Sequence, residues 1–274
     1  MPDPERAADC HAHIFCKGRP SIADAVYQPH PSQEGTAAQF LAVLDAHGFS
    51  HGLLVGAGPY GPDNRCMLEA IAASRGRLKG IGIADARITD RELDALAEAG
   101  VVGIRFNLFN HGLRPLTEPG AAHLLAAMKA RNLFVQVQVQ KDELVAAAPI
   151  LRAAGVRLMF DHFGRPSVAA GVAQPGFQAL LDMGREGHVI KLSGPFRSSV
   201  QGCFPWDDVD PFIAAAIDAF TLDRCVWGSD WPFVRMDERM DYGPALACLK
   251  RWVPDAADRA KVLWHNPARL FGFA

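Results

Sequence analysis

In Asp9-Cys10-His11-Ala12-His13-Ile14-Phe15 two histidines stand two residues apart within a short apolar run, and the period-two alternation of a strand turns both imidazoles to one face. A third histidine, His162, follows the run Arg157-Leu158-Met159-Phe160-Asp161, and a carboxylate, Asp230, comes just beyond Cys225-Val226-Trp227-Gly228-Ser229. Three imidazoles beside one carboxylate suit hydrolysis. The carboxylate takes a proton from water, and the imidazoles polarise the attacked carbonyl by hydrogen bonds or through a metal ion that they bind. His11, His13, His162 and Asp230 would hold one Zn²⁺ tetrahedrally if one of them gave way to water. Asp161 should alternate away from that face and reads as structural; Cys10, between the paired histidines, falls on the opposite face and reads as core packing.

The elements that must position these groups repeat eight times along the chain. Short runs rich in Val, Ile and Leu predict strands at Asp9–Phe15, Gly52–Val55, Gly80–Ala84, Gly103–Phe106, Leu133–Val139, Arg157–Asp161, Val189–Leu192 and Cys225–Gly228. Helical periodicity predicts helices at Thr36–Ala46, Arg65–Ser74, Asp90–Ala99, Ala121–Ala130, Asp142–Ala153, Phe177–Arg185, Val209–Ala219 and Tyr242–Trp252. Eight βα units in 274 residues, without a hairpin signal or a linker, predict one (β/α)8 TIM barrel spanning 1–274. In such a barrel strand 8 adjoins strand 1 and strand 6 is one strand further round, so His11, His13, His162 and Asp230 meet where strand C-termini form the open face. The segment past residue 253 reads as terminal helices on the barrel's outside.

Composition removes other classes. Hydrophobic residues make up 49% and charged residues 21%, enough apolar material for a large core. A net charge of -2 with no basic stripe or polybasic run argues against nucleic acid and membrane partners. The polar, acidic N-terminus lacks the basic start and apolar run of a secretory signal, which makes a cytoplasmic location the default expectation. Six scattered cysteines without a Cys-x-x-Cys pair read as buried or partly buried thiols.

The motifs above, together with Asp161-His162-Phe163-Gly164-Arg165, Lys191-Leu192-Ser193-Gly194, Trp227-Gly228-Ser229-Asp230-Trp231-Pro232 and Asn266-Pro267-Ala268-Arg269-Leu270-Phe271-Gly272, resemble the amidohydrolase superfamily. Within it they resemble the pyrone-dicarboxylate lactonase branch. The resemblance implies a lactonase opening a carboxylate-bearing lactone, with Asp230 as base. It implies that Arg105 and Arg197 grip substrate carboxylates and that Tyr27 hydrogen-bonds the substrate, while His111 stands where the branch has a further arginine. Two-metal members of the superfamily carry a Lys or Glu on strand 4 and a His on strand 5. This chain offers Arg105 and then Gln136, Gln138 and Gln140, so the expectation is no required cofactor, or one divalent ion such as Zn²⁺. The alternative within the superfamily is a metal-dependent decarboxylase of an aromatic or muconate-type acid; a barrel that only binds a carboxylate metabolite is the non-enzymatic one.

Overall fold

The computed structural model describes residues 6–236 and 240–274. Eight parallel strands follow one another in chain order: β1 Ala8–Ala12, β2 His51–Val55, β3 Leu78–Gly82, β4 Val101–Asn107, β5 Phe134–Gln138, β6 Arg157–Phe160, β7 Val189–Ser193 and β8 Cys225–Gly228. A helix follows each: α1 Ala37–Ala46, α2 Arg65–Ala73, α3 Asp90–Glu98, α4 Ala121–Ala130, α5 Glu143–Ala154, α6 Pro175–Arg185, α7 Asp210–Phe220 and α8 Tyr242–Trp252. Capping boxes at Thr36/Gln39 and Thr89/Glu92 start α1 and α3, each satisfying two backbone donors that a helix leaves open. This is the (β/α)8 barrel that the eightfold repeat implies.

The barrel closes beyond the ends of its first and last strands. Asp230 N donates to His11 O at 2.8 Å and His13 N to Trp231 O at 2.8 Å. The buried Asp9 carboxylate ties the seam from the outside, accepting from Ser229 N at 2.9 Å and Tyr242 Oη at 3.1 Å. Gly228 is required here, since a Cβ on it would lie 2.5 Å from His11 Cβ.

Alternation along the strands divides the apolar residues into two sets. One packs against the helices. The other, including Cys10, Leu53, Val55, Ile81 and Met159, fills the barrel interior below the catalytic end and meets Leu270, Phe271 and Phe273. The C-terminal segment therefore plugs the bottom of the barrel instead of lying along its outside. Cys10 sits inside the barrel, not on the face expected for it, because pairing between β1 and β2 shifts register between Asp9 and Ala12.

The cysteines need a second correction. Cys16 and Cys66 form a disulfide that joins the loop after β1 to the first turn of α2. Fifty residues separate them, so only the folded barrel brings them together. Cys10, Cys225 and Cys248 are buried free thiols, and Cys203 is exposed. Disulfides are rare in reducing compartments, so the cysteines lend no weight to a cytoplasmic location. Among the described residues no helix is long and apolar enough to cross a membrane.

Candidate active site

The register shift in β1 leaves both His11 and His13 facing the pore, with their Nε2 atoms 3.3 Å apart. β6 ends at Phe160, and the chain then enters a tight turn with φ of 48° at His162 and 40° at Phe163. That left-handed turn breaks alternation, so Asp161 and His162 both face the pore. Asp161 is thus part of the site, contrary to its reading as structural. Asp230 also has a positive φ, 64°. Left-handed backbone at non-glycine residues costs energy and concentrates where side chains must be aimed.

The four expected groups meet. Asp230 Oδ1 lies 3.6 Å from His11 Nε2 and 3.7 Å from His13 Nε2, and Oδ2 lies 3.9 Å from His162 Nε2. All four residues are buried. Oδ2 also accepts from Arg197 Nε at 2.8 Å. Burial would raise the Asp230 carboxyl, but Arg197 and the three imidazoles outweigh it and hold the group well below the ordinary carboxylate range. Burial lowers the imidazoles in turn: His13 and His162 to about 4, and His11 well below its ordinary value. At neutral pH Asp230 is therefore a carboxylate beside three neutral rings.

One tautomer is fixed by its partner. His13 Nδ1 lies 2.9 Å from Val55 O, which can only accept, so Nδ1 carries the proton and Nε2 presents a lone pair to the pore. His13 Nε2 therefore cannot donate a hydrogen bond into the pore. His162 Nδ1 lies 2.9 Å from Ser193 Oγ, a hydroxyl that can take either part.

Beneath the imidazoles is a buried polar layer whose composition escapes a reading of motifs. Asp161 Oδ2 accepts from Gln136 Nε2 at 3.0 Å and from Arg105 Nε at 3.3 Å. Its Oδ1 lies 3.3 Å from His11 Nδ1 and 3.5 Å from Lys191 Nζ. Burial opposes its ionisation, and His11, Lys191 and Arg105 together reverse that, holding the carboxyl well below its usual range. Gln136 on β5 and Lys191 on β7 are polar residues at pore-facing positions of buried strands, a period-two signal present in the sequence.

Among the described residues two sets of three ligand atoms cluster closely enough to hold an ion: His11, Asp161 and His162, and His11, His13 and Asp230. The first does not fit a divalent cation, because the Lys191 amine stands against both Asp161 and His11 Nδ1. The second fits. Separations of 3.3, 3.6 and 3.7 Å are those of atoms sharing one ion with bonds of about 2 Å.

Above the imidazoles lies a cavity of about 140 Å³, lined in part by Tyr27, Arg105, Arg165, Arg197 and Arg235. Arg165, three residues past His162, received no role from sequence. Its Nε is buried with no hydrogen-bond partner, and its guanidinium stacks 4.4 Å over Phe109. His111 does not line this cavity. It lies on the wall of an adjoining one of about 680 Å³, which shares Tyr27, Arg105 and Asn107 with the first.

A family model described as amidohydrolase matches residues 8–273, nearly the whole chain. The chain belongs to the amidohydrolase family. This amidohydrolase is 34% identical to the 4-sulfomuconolactone hydrolase of Rhizobium radiobacter, over 98% of this chain and 91% of that one. It is 30% identical to the 2-pyrone-4,6-dicarboxylate hydrolase of Comamonas testosteroni, over 98% and 90%. A crystal structure of a probable 2-pyrone-4,6-dicarboxylic acid hydrolase from Acinetobacter baumannii, with citric acid bound, superposes with a TM-score of 0.88 at 33% identity, covering 97% of this chain and 99% of that one.

The neutral imidazoles make acid stability testable. The unfolded chain protonates His13 and His162 near pH 6.5 and the folded chain only near 4, so between these values the unfolded state binds more protons. Stability is untouched above about pH 6.5 and falls toward pH 4, by roughly 3 kcal/mol per ring. Asp9, pushed up to about 6 by burial against its hydrogen bonds, acts oppositely below pH 6 and offsets about one ring. The urea midpoint should therefore drop between pH 6.5 and 4.5; a flat or rising midpoint would contradict neutral buried imidazoles.

Proposed function

We propose that this amidohydrolase hydrolyses a lactone bearing at least one carboxylate, with Asp230 as general base. The observation that carries the reading is the division of labour on Asp230. Oδ2 is held by Arg197, while Oδ1 faces His11 and His13 without an arginine and is the oxygen free to take a proton from water. His11 and His162 polarise the lactone carbonyl. Arg105, Arg165 and Arg197 fix the substrate's acid group, with Tyr27 closing the cavity above them. The relatives that act on sulfomuconolactone and pyrone dicarboxylate, and the citric acid in the Acinetobacter structure, support an anionic substrate. Attack of water on the carbonyl carbon breaks the ring C–O bond, and the product carries a new carboxylate and a hydroxyl.

His11, His13 and Asp230 would hold a single divalent ion, which when bound would supply Lewis-acid polarisation of the carbonyl. The residue roles above do not depend on it. His111 would contact a substituent that extends from the lactone into the larger cavity, not the carboxylate at the reacting ring.

The reading is tested by supplying lactones with and without carboxylates to purified protein, with and without a chelator, and following acid release and CO₂ together. Ring opening of a carboxylate-bearing lactone, with one proton released and no CO₂, is the expected result. CO₂ release from unsaturated acids without ring opening would replace it with the decarboxylase alternative.

A further inference from the structure

The hydrogen bonds around His11 run in one direction across the barrel. His13 Nε2 is a lone pair, because Nδ1 donates to Val55 O. With no ion between the two rings, its neighbour at 3.3 Å, His11 Nε2, is the donor in that contact. A neutral imidazole with its proton on Nε2 has a lone pair on Nδ1, and Lys191 Nζ stands 3.3 Å from that atom in hydrogen-bonding geometry. Lys191 is itself aimed from the far side, donating to Gln136 Oε1 at 2.6 Å. The amide orientation of Gln136 is set because its Nε2 donates to Asp161 at 3.0 Å. The groups that face Nδ1 are thus Lys191 and Asp161, each at 3.3 Å. They make opposite demands, a lone pair for the amine and a proton for the carboxylate, and Asp161 Oδ1 has no hydrogen-bond partner.

We infer that Lys191 is a positioning residue that fixes His11 in its Nε2–H tautomer, making His11 a hydrogen-bond donor to the lactone carbonyl and opposing its use as a metal ligand. The role as carbonyl donor rests on the lactonase reading; the tautomer does not. An ion at His11, His13 and Asp230 needs the Nε2 lone pair of His11. Freeing it moves the proton to Nδ1, where it would go to Asp161 and the Lys191 hydrogen bond would be lost. Carboxylate-to-histidine contacts of that kind strengthen a metal-bound imidazole. Lys191 therefore stands between two uses of the same three residues, one through hydrogen bonds and one through an ion. Its side chain is fully buried.

The tautomer is read by long-range ¹⁵N–¹H correlation of the imidazoles in the full-length, metal-free wild-type protein, with His11 assigned from the peak lost in His11→Gln. A pyrrole-type Nε2 and a pyridine-type Nδ1 are expected. In Lys191→Met the two types should exchange, and Zn²⁺ affinity, measured by competition with a chromogenic chelator, should rise roughly 10- to 100-fold. On the substrate, kcat without metal should fall about 10²-fold with little change in KM, as for loss of an oxyanion donor. A wild-type His11 proton on Nδ1 overturns the inference whether or not Lys191→Met folds. Unchanged zinc affinity in a folded Lys191→Met does so as well. The first two readouts use no substrate, so failure of the lactone assay alone would count against the proposed function and leave the tautomer assignment standing.

Discussion

Asp230→Asn should lower kcat by roughly 10²- to 10⁴-fold, the usual cost of losing a general base, while KM stays near its wild-type value or falls. Asparagine keeps the size of the side chain, and its amide oxygen can still accept from Arg197. What disappears is the basic Oδ1 facing His11 and His13. Substrate binding should survive because Asp230 is the main negative charge among Arg105, Arg165, Arg197 and Arg235 in the cavity wall. Neutralising it leaves these cations more available to an anionic ligand, which is why a lower KM is within expectation and a higher one is not. Wild-type kcat in this variant would remove Asp230 as the base. A large rise in KM with kcat preserved would move it to the substrate-binding set.

The depressed basicity of Asp230 has a structural cause that bears on how it works. Arg197 donates to Oδ2 through Nε, and Arg197 is also placed to meet a substrate carboxylate. A bound acid would share that guanidinium with Asp230 and weaken its hold, so the base becomes stronger when substrate is present. On the proposed mechanism, proton abstraction would thereby be coupled to occupancy of the anion site. The three neutral imidazoles complement this, since charged rings would draw the Asp230 carboxylate further from proton abstraction.

Periodicity was enough to read the barrel, because a buried parallel strand must be apolar and each unit must return through a helix. His11, His13, His162 and Asp230 could be found for the same reason: each stands at the end of such a run, on strands that closure makes neighbours. The failures occur where the backbone departs from regular alternation. A register shift in β1 sets Cys10 and His11 on the same inner face, and the left-handed turn at His162 brings that ring into the pore beside Asp161. Gln136 and Lys191 could have been read from polar residues recurring every second position in β5 and β7, but not their partners, which lie two strands apart. The Cys16–Cys66 disulfide had no local signal, since the barrel alone closes that distance. His111 stands where the resembling branch has an arginine, and loop geometry places it on the wall of the adjoining cavity.

Arg165→Met should raise KM by roughly 10²- to 10³-fold for an acidic lactone with kcat little changed, because on the proposed reading it removes a half-buried cation that would pair with the substrate's acid group. Arg165 is the cleanest of the arginines for this purpose. Arg105 Nε also donates to Asp161, and Arg197 Nε to Asp230, so truncating either disturbs the catalytic layer as well as the ligand. Among the described residues Arg165 Nε has no hydrogen-bond partner, and burial and neighbouring Arg197 lower the group's pKa to about 10. A buried N–H without a partner is costly to keep, and a substrate acid group is a partner that would offset the cost. Methionine retains apolar contact with Phe109, so the variant should melt no lower than the wild type. The decisive comparison is an analogue in which the acid is replaced by its amide: wild type and Arg165→Met should then bind it alike. If the variant discriminates against acid and amide to the same degree, Arg165 shapes the cavity without reading charge. The anion preference would then have to come from Arg105, Arg197 and Arg235 alone.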